Sequence, residues 1–199
     1  MFNGFISIDK PPQITAHDCV SKLRKLLKQK KIGHGGTLDP MATGVLPIAV
    51  GNATRLLRFL PEGKAYDAKI RFGIVTNTDD ITGEILSDRP CPDLTREQIE
   101  QLLPLFQGEI TQRPPAFSAI QVNGQRLYNL ARRGEIVEAD IPLRSVKITE
   151  IQILDWTIGD YPELDVAISC GSGTYIRSIA RDLGGKLGCG ATFSGLKRT

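Results

Sequence analysis

Along Ala65-Tyr66-Asp67-Ala68-Lys69-Ile70-Arg71-Phe72-Gly73 the side chains alternate in character at every step. Tyr66, Ala68, Ile70 and Phe72 fall on one side, and Asp67, Lys69 and Arg71 on the other. A period of two is the pattern of a strand with one buried face.

Outward from this segment, helix and strand signals are interspersed. On the N-terminal side, Gly4–Ile8 reads as a short strand entering a Lys10-Pro11-Pro12 turn. Thr15 followed by Asp18 has the form of a capping box and predicts a helix to about Lys30. Cys19, Val20, Leu23, Leu26 and Leu27 make its apolar stripe; Lys22, Arg24, Lys25 and Lys28 fall mostly opposite. Pro47–Gly51 reads as a buried strand and residues 53–60 as a short helix. On the C-terminal side, residues 76–93 are polar, acidic and loop-like. Thr95 with Gln98 caps a helix to about Leu103, with Gly108 past its end. Asn123-Gly124 marks a hairpin turn. Val146–Ile158 and Leu164–Cys170 read as strands, and Thr174 as the cap of a last helix. That helix would bury Ile176, Ile179, Ala180, Leu183 and Leu187. The expected class is α+β, with a central, mainly antiparallel mixed sheet flanked by helices and loops.

The chain has 199 residues, 41% hydrophobic and 24% charged, which fits one soluble domain spanning 1–199. The longest apolar run, Val45–Val50, is far too short to cross a bilayer. Asp9, Lys10 and two prolines interrupt the N-terminus before a signal peptide could form. A cytoplasmic, monomeric protein is expected. Cys19, Cys91, Cys170 and Cys189 form no CxxC pair, so no metal is expected and the cysteines are given no role.

Charge is unevenly spread. Residues 1–64 hold ten Lys/Arg against four Asp/Glu, 65–170 hold ten against seventeen, and 171–199 hold five against one. Two basic ends around an acidic middle predict a basic face that attracts polyanions such as nucleic acid.

The least ordinary stretch is His34-Gly35-Gly36-Thr37-Leu38-Asp39-Pro40. It lacks the Gly-Lys-Ser/Thr ending of a P-loop. Its glycines permit close backbone approach to a ligand, and Pro40 holds Asp39 extended. On pattern alone Asp39 is either a turn former or a carboxylate presented to a cleft.

GHGGTLDPMATGVLP, with DKP before it, YDAKIRFG and RPPAFSAIQVNGQRLYNLARRG after it, and GTYIRSIARDLG near the end, resembles the TruB-type tRNA pseudouridine synthases. The blocks run in family order from Gly4 to Arg198. The resemblance implies the pseudouridine-synthase catalytic fold, and isomerisation of uridine-55 in the TΨC loop of tRNA without metal or cofactor. It implies Asp39 as nucleophile, Tyr66 as the tyrosine that stacks on the target base and is a candidate general base, and Arg177 as the arginine paired with the aspartate. His34, Lys10, Pro11, Tyr175 and Leu196 correspond to the family's substrate-binding and loop-supporting positions. Lys22, Lys25, Lys28 and Lys31, with Lys30, are candidates for RNA phosphate contacts. Two departures stand out: Cys170-Gly171-Ser172-Gly173-Thr174 lacks the family's usual lysine, and the family's C-terminal RNA-binding segment is expected to be absent.

The chemistry is compatible with these roles. The reaction breaks a C–N glycosidic bond and joins C5 of the base to C1′, with no redox step, so one nucleophilic carboxylate can serve. A carboxylate in a closed pocket needs a cation to offset its desolvation, a role suited to Arg177. With Thr174 as cap, Arg177 sits in the first helical turn, where cations oppose the helix dipole by roughly 0.3–1 kcal/mol. A competing reading is a non-catalytic RNA-binding or RNA-folding module on the same fold. A zinc base deaminase needs H-x-E and PCxxC, both missing here. A glycosidase needs a second placed carboxylate, and no motif supplies one.

Overall fold

The computed structural model of the chain describes residues 2–118, 120–122, 124–135 and 141–199. Two compact units emerge: residues 1–67 together with 195–199, and residues 68–194. The first holds twelve Lys/Arg against five Asp/Glu, the second thirteen against seventeen, so the charge asymmetry follows the units.

In the first unit the chain runs through β1 (Gly4–Lys10), α1 (Ala16–Leu27), β2 (Ile32–His34), β3 (Thr43–Val50) and a 3₁₀ helix (Gly51–Phe59), and enters β4 (Lys64–Phe72). β3 is the organising strand. β1 pairs with it antiparallel from Gly4↔Val50 to Lys10↔Gly44, and β2 pairs antiparallel on its other edge from Ile32↔Val50 to His34↔Ile48. Leu46, Ile48, Ala49 and Val50 on β3 are buried, with Ile32, Ala16, Cys19 and Val20.

The capping box opens α1 as the sequence predicts: the Asp18 N–H donates to Thr15 Oγ1 and the Thr15 N–H to the Asp18 carboxylate. The helix ends at Leu27, three residues early. Lys28 turns left-handed at φ 51°, and its N–H closes on the Arg24 carbonyl. Leu26, expected inside, is 76% exposed. Between α1 and Pro47, where the sequence suggests no strand, the chain also forms β2 and the first half of β3. These short pieces pair with β3, a long-range effect that local periodicity does not carry.

The second unit takes the rest of β4, then β5 (Ile74–Thr76), β6 (Ile85–Asp88), α2 (Arg96–Leu102) with a 3₁₀ turn (Leu103–Phe106), and β7 (Gly108–Gln112). β8 (Gln121–Val122), β9 (Gln125–Arg126), α3 (Leu127–Arg132), β10 (Arg144–Thr157), β11 (Glu163–Cys170), α4 (Ile176–Leu187) and β12 (Ala191–Arg198) follow. Its sheet runs β12-β4-β11-β10-β7, with β10 antiparallel to both β11 and β7. β5 and β6 form a separate antiparallel pair, with β6 inside the segment read as loop.

On β4 the alternation holds: Ala68, Ile70 and Phe72 are at most 3% exposed. Lys69, on the other face, reaches across to β11 and donates to Asp165 at 2.8 Å. Thr95 and Gln98 form the second capping box. Val122 pairs with Gln125 and Gly124 has φ +78°, as a two-residue hairpin requires; Asn123 lies outside the described residues. The last residues of β12 return to the first unit, where Lys197 and Arg198 pair in parallel with Thr43 and Gly44. A Cβ on Gly44 would stand 2.0 Å from the Arg198 carbonyl oxygen, so that position accepts no side chain. Among the described residues, no helix is long and apolar enough to cross a membrane.

Gly184 lies within α4, where a glycine costs about 1 kcal/mol relative to alanine. A Cβ there would stand 2.2 Å from the Ala191 nitrogen. Gly184→Ala is therefore expected to destabilise despite its better helix propensity, by roughly 1–3 kcal/mol as overpacking does. Urea unfolding checks this, and a stabilised variant would contradict the close approach.

Candidate active site

Asp39 sits half-buried in the turn between β2 and β3, among fixed backbone. Its carbonyl accepts the Ala42 N–H at 3.0 Å, and the Pro40 carbonyl accepts the Gln13 N–H at 2.8 Å. Leu38 and Ala42 on either side are buried. Lys10, at the end of β1, is fully buried, and its Nζ donates to the carbonyls of Pro11 (2.9 Å), Ile14 (2.7 Å) and Pro40 (3.1 Å). An ammonium has three protons, and three carbonyls receive them. Burial pushes the Lys10 pKa down, while Cys19, Asp39 and Asp18 act against it. Lys10 thus ties the turn after β1 to the residue following Asp39. Pro11 itself is exposed and contributes the carbonyl.

Upstream, the Gly35 N–H donates to the Pro47 carbonyl at 2.7 Å. A Cβ on Gly35 would stand 2.3 Å from Leu60 Cδ1. His34 is half-buried, and its Nδ1 lies 3.2 Å from the Gly36 carbonyl, so this nitrogen carries the proton. Burial, with smaller contributions from His17 and Arg198, pushes the His34 pKa below 6.5; the Gly36 carbonyl opposes.

The folded chain holds the imidazole neutral, whereas the unfolded chain takes up a proton near pH 6.5. His34 therefore costs nothing above that pH, and destabilises increasingly as pH falls toward its lowered folded pKa. Comparing urea midpoints at pH 7.5 and 5.0, the wild type should lose more stability than His34→Gln. An equal loss would show that His34 is not the group responsible.

Tyr66 lies on β4 and is 7% exposed. Leu196, on β12, is half-buried, and its carbonyl accepts a weak bond from Thr43 Oγ1 at 3.4 Å. Lys22, Lys25, Lys28, Lys30 and Lys31 are all exposed; Lys31 donates to Asn52.

In the second unit, Tyr175 and Arg177 stand at the start of α4. The expected Thr174 cap is corrected. Thr174 Oγ1 donates back to the Gly171 carbonyl, and Tyr175 occupies the cap position without a side-chain bond. Gln112 replaces the cap: its Oε1 accepts the Tyr175 N–H at 2.8 Å, and its Nε2 donates to the Tyr175 carbonyl at 3.0 Å. Arg177 is then the second helical residue.

Arg177 is 7% exposed and donates to the carbonyls of Thr78 (3.0 Å) and Phe117 (3.2 Å). Its Nη1 lies 3.6 Å from Asp80 Oδ2. Asp80, 6% exposed, accepts from Thr78 Oγ1 and from the N–H and Oγ1 of Thr82. One turn further, Arg181 pairs with Asp79 at 3.0 Å and donates to the Arg113 carbonyl. Asp79 holds a left-handed φ of 59°. The dipole penalty on Arg177 is thus offset by an anion and two carbonyls.

The structure gathers Lys10, Pro11, His34, Asp39, Tyr66 and Leu196 in the first unit, and Tyr175 and Arg177 in the second. Sequence reading missed Asp80, Arg181, Lys64 and Arg198. The two threonines flanking Asp80 at equal spacing are the one local signal for it.

Comparison with known proteins places these residues in context. Residues 24–176 match the profile of the TruB family pseudouridylate synthase (N terminal domain). A protein of Trichormus variabilis named tRNA pseudouridine synthase B is 59% identical over 98% of this chain and 66% of its own length. A Gloeothece citriformis protein of the same name is 62% identical, again over 98% of this chain, and 63% of its own length. The chain therefore spans about two thirds of the curated relatives it matches. Among solved structures, a Cbf5-Nop10-Gar1 complex matches with a TM-score of 0.72 and 34% identity, covering 98% of this chain and 48% of that one. An H/ACA RNP bound to a substrate RNA containing 2′-deoxyuridine matches at 0.70 and 31%, covering 98% and 46%.

Proposed function

We infer the activity from one premise: this chain belongs to the TruB family of pseudouridylate synthases. We propose that it isomerises uridine to pseudouridine in tRNA, at position 55 of the TΨC loop, with residues 1–199 as catalytic domain and no cofactor. The observation that carries this reading is the identity of 58–62% to tRNA pseudouridine synthases B over 98% of the chain.

Asp39 is the proposed nucleophile. The base's N1–C1′ bond breaks, a C5–C1′ bond forms, the C5 proton leaves to solvent, and N1 takes up a proton, so the product is an isomer of the substrate. The Lys10 clamp and the bond from Ala42 fix the backbone around Asp39, as a positioned nucleophile requires. Tyr66 stacks on the base, and Arg177 offsets the charge of Asp39. Asp39 and Arg177 belong to different units, so their pairing is part of the proposal. His34, Tyr175 and Leu196 border the base, Lys10 and Pro11 support its loop, and the exposed Lys22, Lys25, Lys28 and Lys31 meet RNA phosphates.

The test is tritium release from C5-labelled uridine in a tRNA transcript, with and without EDTA. Stoichiometric release in both is expected. No release from RNA that is nevertheless bound would favour a binding module.

A further inference from the structure

Arg198 is buried at 4% exposure near the end of β12. Its Nε donates to the Val45 carbonyl. Among the described residues, neither Nη1 nor Nη2 has a hydrogen-bond partner. Four charged N–H groups are thus left over on a side chain removed from water. Buried arginine without compensating acceptors is strongly disfavoured, and such groups are ordinarily paired.

The neighbourhood shows what is missing. A Cβ on Gly36 would stand 3.3 Å from Arg198 Nη1 and 3.7 Å from Lys64 Nζ. Two cations therefore converge on one glycine, and among the described residues neither makes an ion pair with a carboxylate. Gly36 has φ +108°, a conformation that L side chains rarely adopt, and its bare Cα borders the Arg198 fork. Lys64 is half-buried on a flexible stem and can shift to admit a ligand. Gly36 lies three residues before Asp39. All of these residues belong to the first unit, with its excess of seven positive charges.

We propose that Arg198 and Lys64, at the Gly36 face of the Asp39 loop, bind one phosphodiester of the RNA substrate. This rests on the RNA-modification reading above. A guanidinium fork matches two phosphate oxygens, while lysine adds a mobile point charge. An anion seated there satisfies the leftover donors and holds the RNA backbone against the loop that carries the nucleophile. The site is distinct from the exposed lysines between Lys22 and Lys31, which stand on the surface.

The experiment uses the full chain and TΨC stem-loop oligonucleotides, each with a single uncharged methylphosphonate linkage. Affinity is measured across the set for wild type, Arg198→Gln and Lys64→Gln. One loop linkage should weaken wild-type binding by about tenfold, the size of a lost charge-assisted bond. The same linkage should have no further effect in Arg198→Gln and a reduced effect in Lys64→Gln. The slope of log affinity against log salt should fall by roughly 0.7–0.9 in Arg198→Gln, one phosphate's share.

A flat linkage scan for wild type overturns the proposal. So does unchanged sensitivity in a folded Arg198→Gln, which would make the arginine structural. If Arg198→Gln does not fold, unchanged sensitivity in Lys64→Gln decides against the site. Inorganic phosphate that binds wild type while the scan stays flat would assign the site to the free ion instead. Tritium release with a flat scan sinks only this subsite. Absence of both release and RNA binding sinks the enzymatic reading and this inference with it.

Discussion

Asp39→Asn is expected to abolish tritium release, by roughly ten-thousandfold or more, while RNA affinity stays within about threefold. The amide has nearly the shape of the carboxylate but is a far poorer nucleophile. Backbone and Lys10 supply three of the contacts that fix this turn: the Asp39 carbonyl accepts from Ala42, and the Pro40 carbonyl accepts from Gln13 and Lys10. These backbone and lysine bonds survive the change, and the amide fills the same space as the carboxylate, so the loop should keep its shape. Release assays and filter binding on the same preparation separate the two quantities. Turnover near the wild-type rate would remove Asp39 from the nucleophile's role, whereas loss of both turnover and binding would point to a collapsed loop.

The second large effect is expected at Asp80. Asp80→Asn should lower stability by about 3 kcal/mol, since breaking a buried ion pair costs roughly 3–5 kcal/mol and the amide keeps some bonds. For a chain of this size that is on the order of 6–12 °C in Tm. Asp80 and Arg177 are each at most 7% exposed, so water cannot replace the lost charge. The donors from Thr78 and Thr82 would also face a weaker, half-reversed acceptor. Turnover should fall as well, because Arg177 would lose the anion that orients it beside the neutral Thr78 and Phe117 carbonyls. A double variant with Arg177→Met tests the coupling: its stability loss should be smaller than the sum of the two single losses. Strict additivity, or an Asp80→Asn chain within 1 kcal/mol of wild type, would show that the pair does little.

Much of this architecture is written locally. The alternation from Tyr66 to Phe72 needs no partner to be read, because period and burial coincide along one strand. The boxes at Thr15 and Thr95 close within three residues, and both form. Reading failed where partners come from far away. β12 carries Ala191-Thr192-Phe193-Ser194-Gly195-Leu196 with no clean alternation, because it takes part in both units. Asp80 stands in a polar acidic segment that looks solvated, and its arginine arrives from a helix about a hundred residues later. Thr174 is a good cap by composition, but Gln112 takes the Tyr175 N–H from another strand, a bond invisible to local pattern. Likewise Gly36 and Arg198 share no motif; only their folded proximity shows the leftover guanidinium.

The parallel ladder between β3 and β12 has a consequence in time. The bond from Arg198 to the Val45 carbonyl joins residues 153 positions apart. At roughly 5–20 residues per second of translation, the ribosome needs about 8–30 s to go from one to the other. Throughout that interval a nascent chain carries its Asp39 turn with the neighbouring edge of β3 still unpaired at Thr43 and Gly44. The segment bearing the proposed nucleophile is among the first to be synthesised, and it gains its closing strand only when Lys197 and Arg198 emerge.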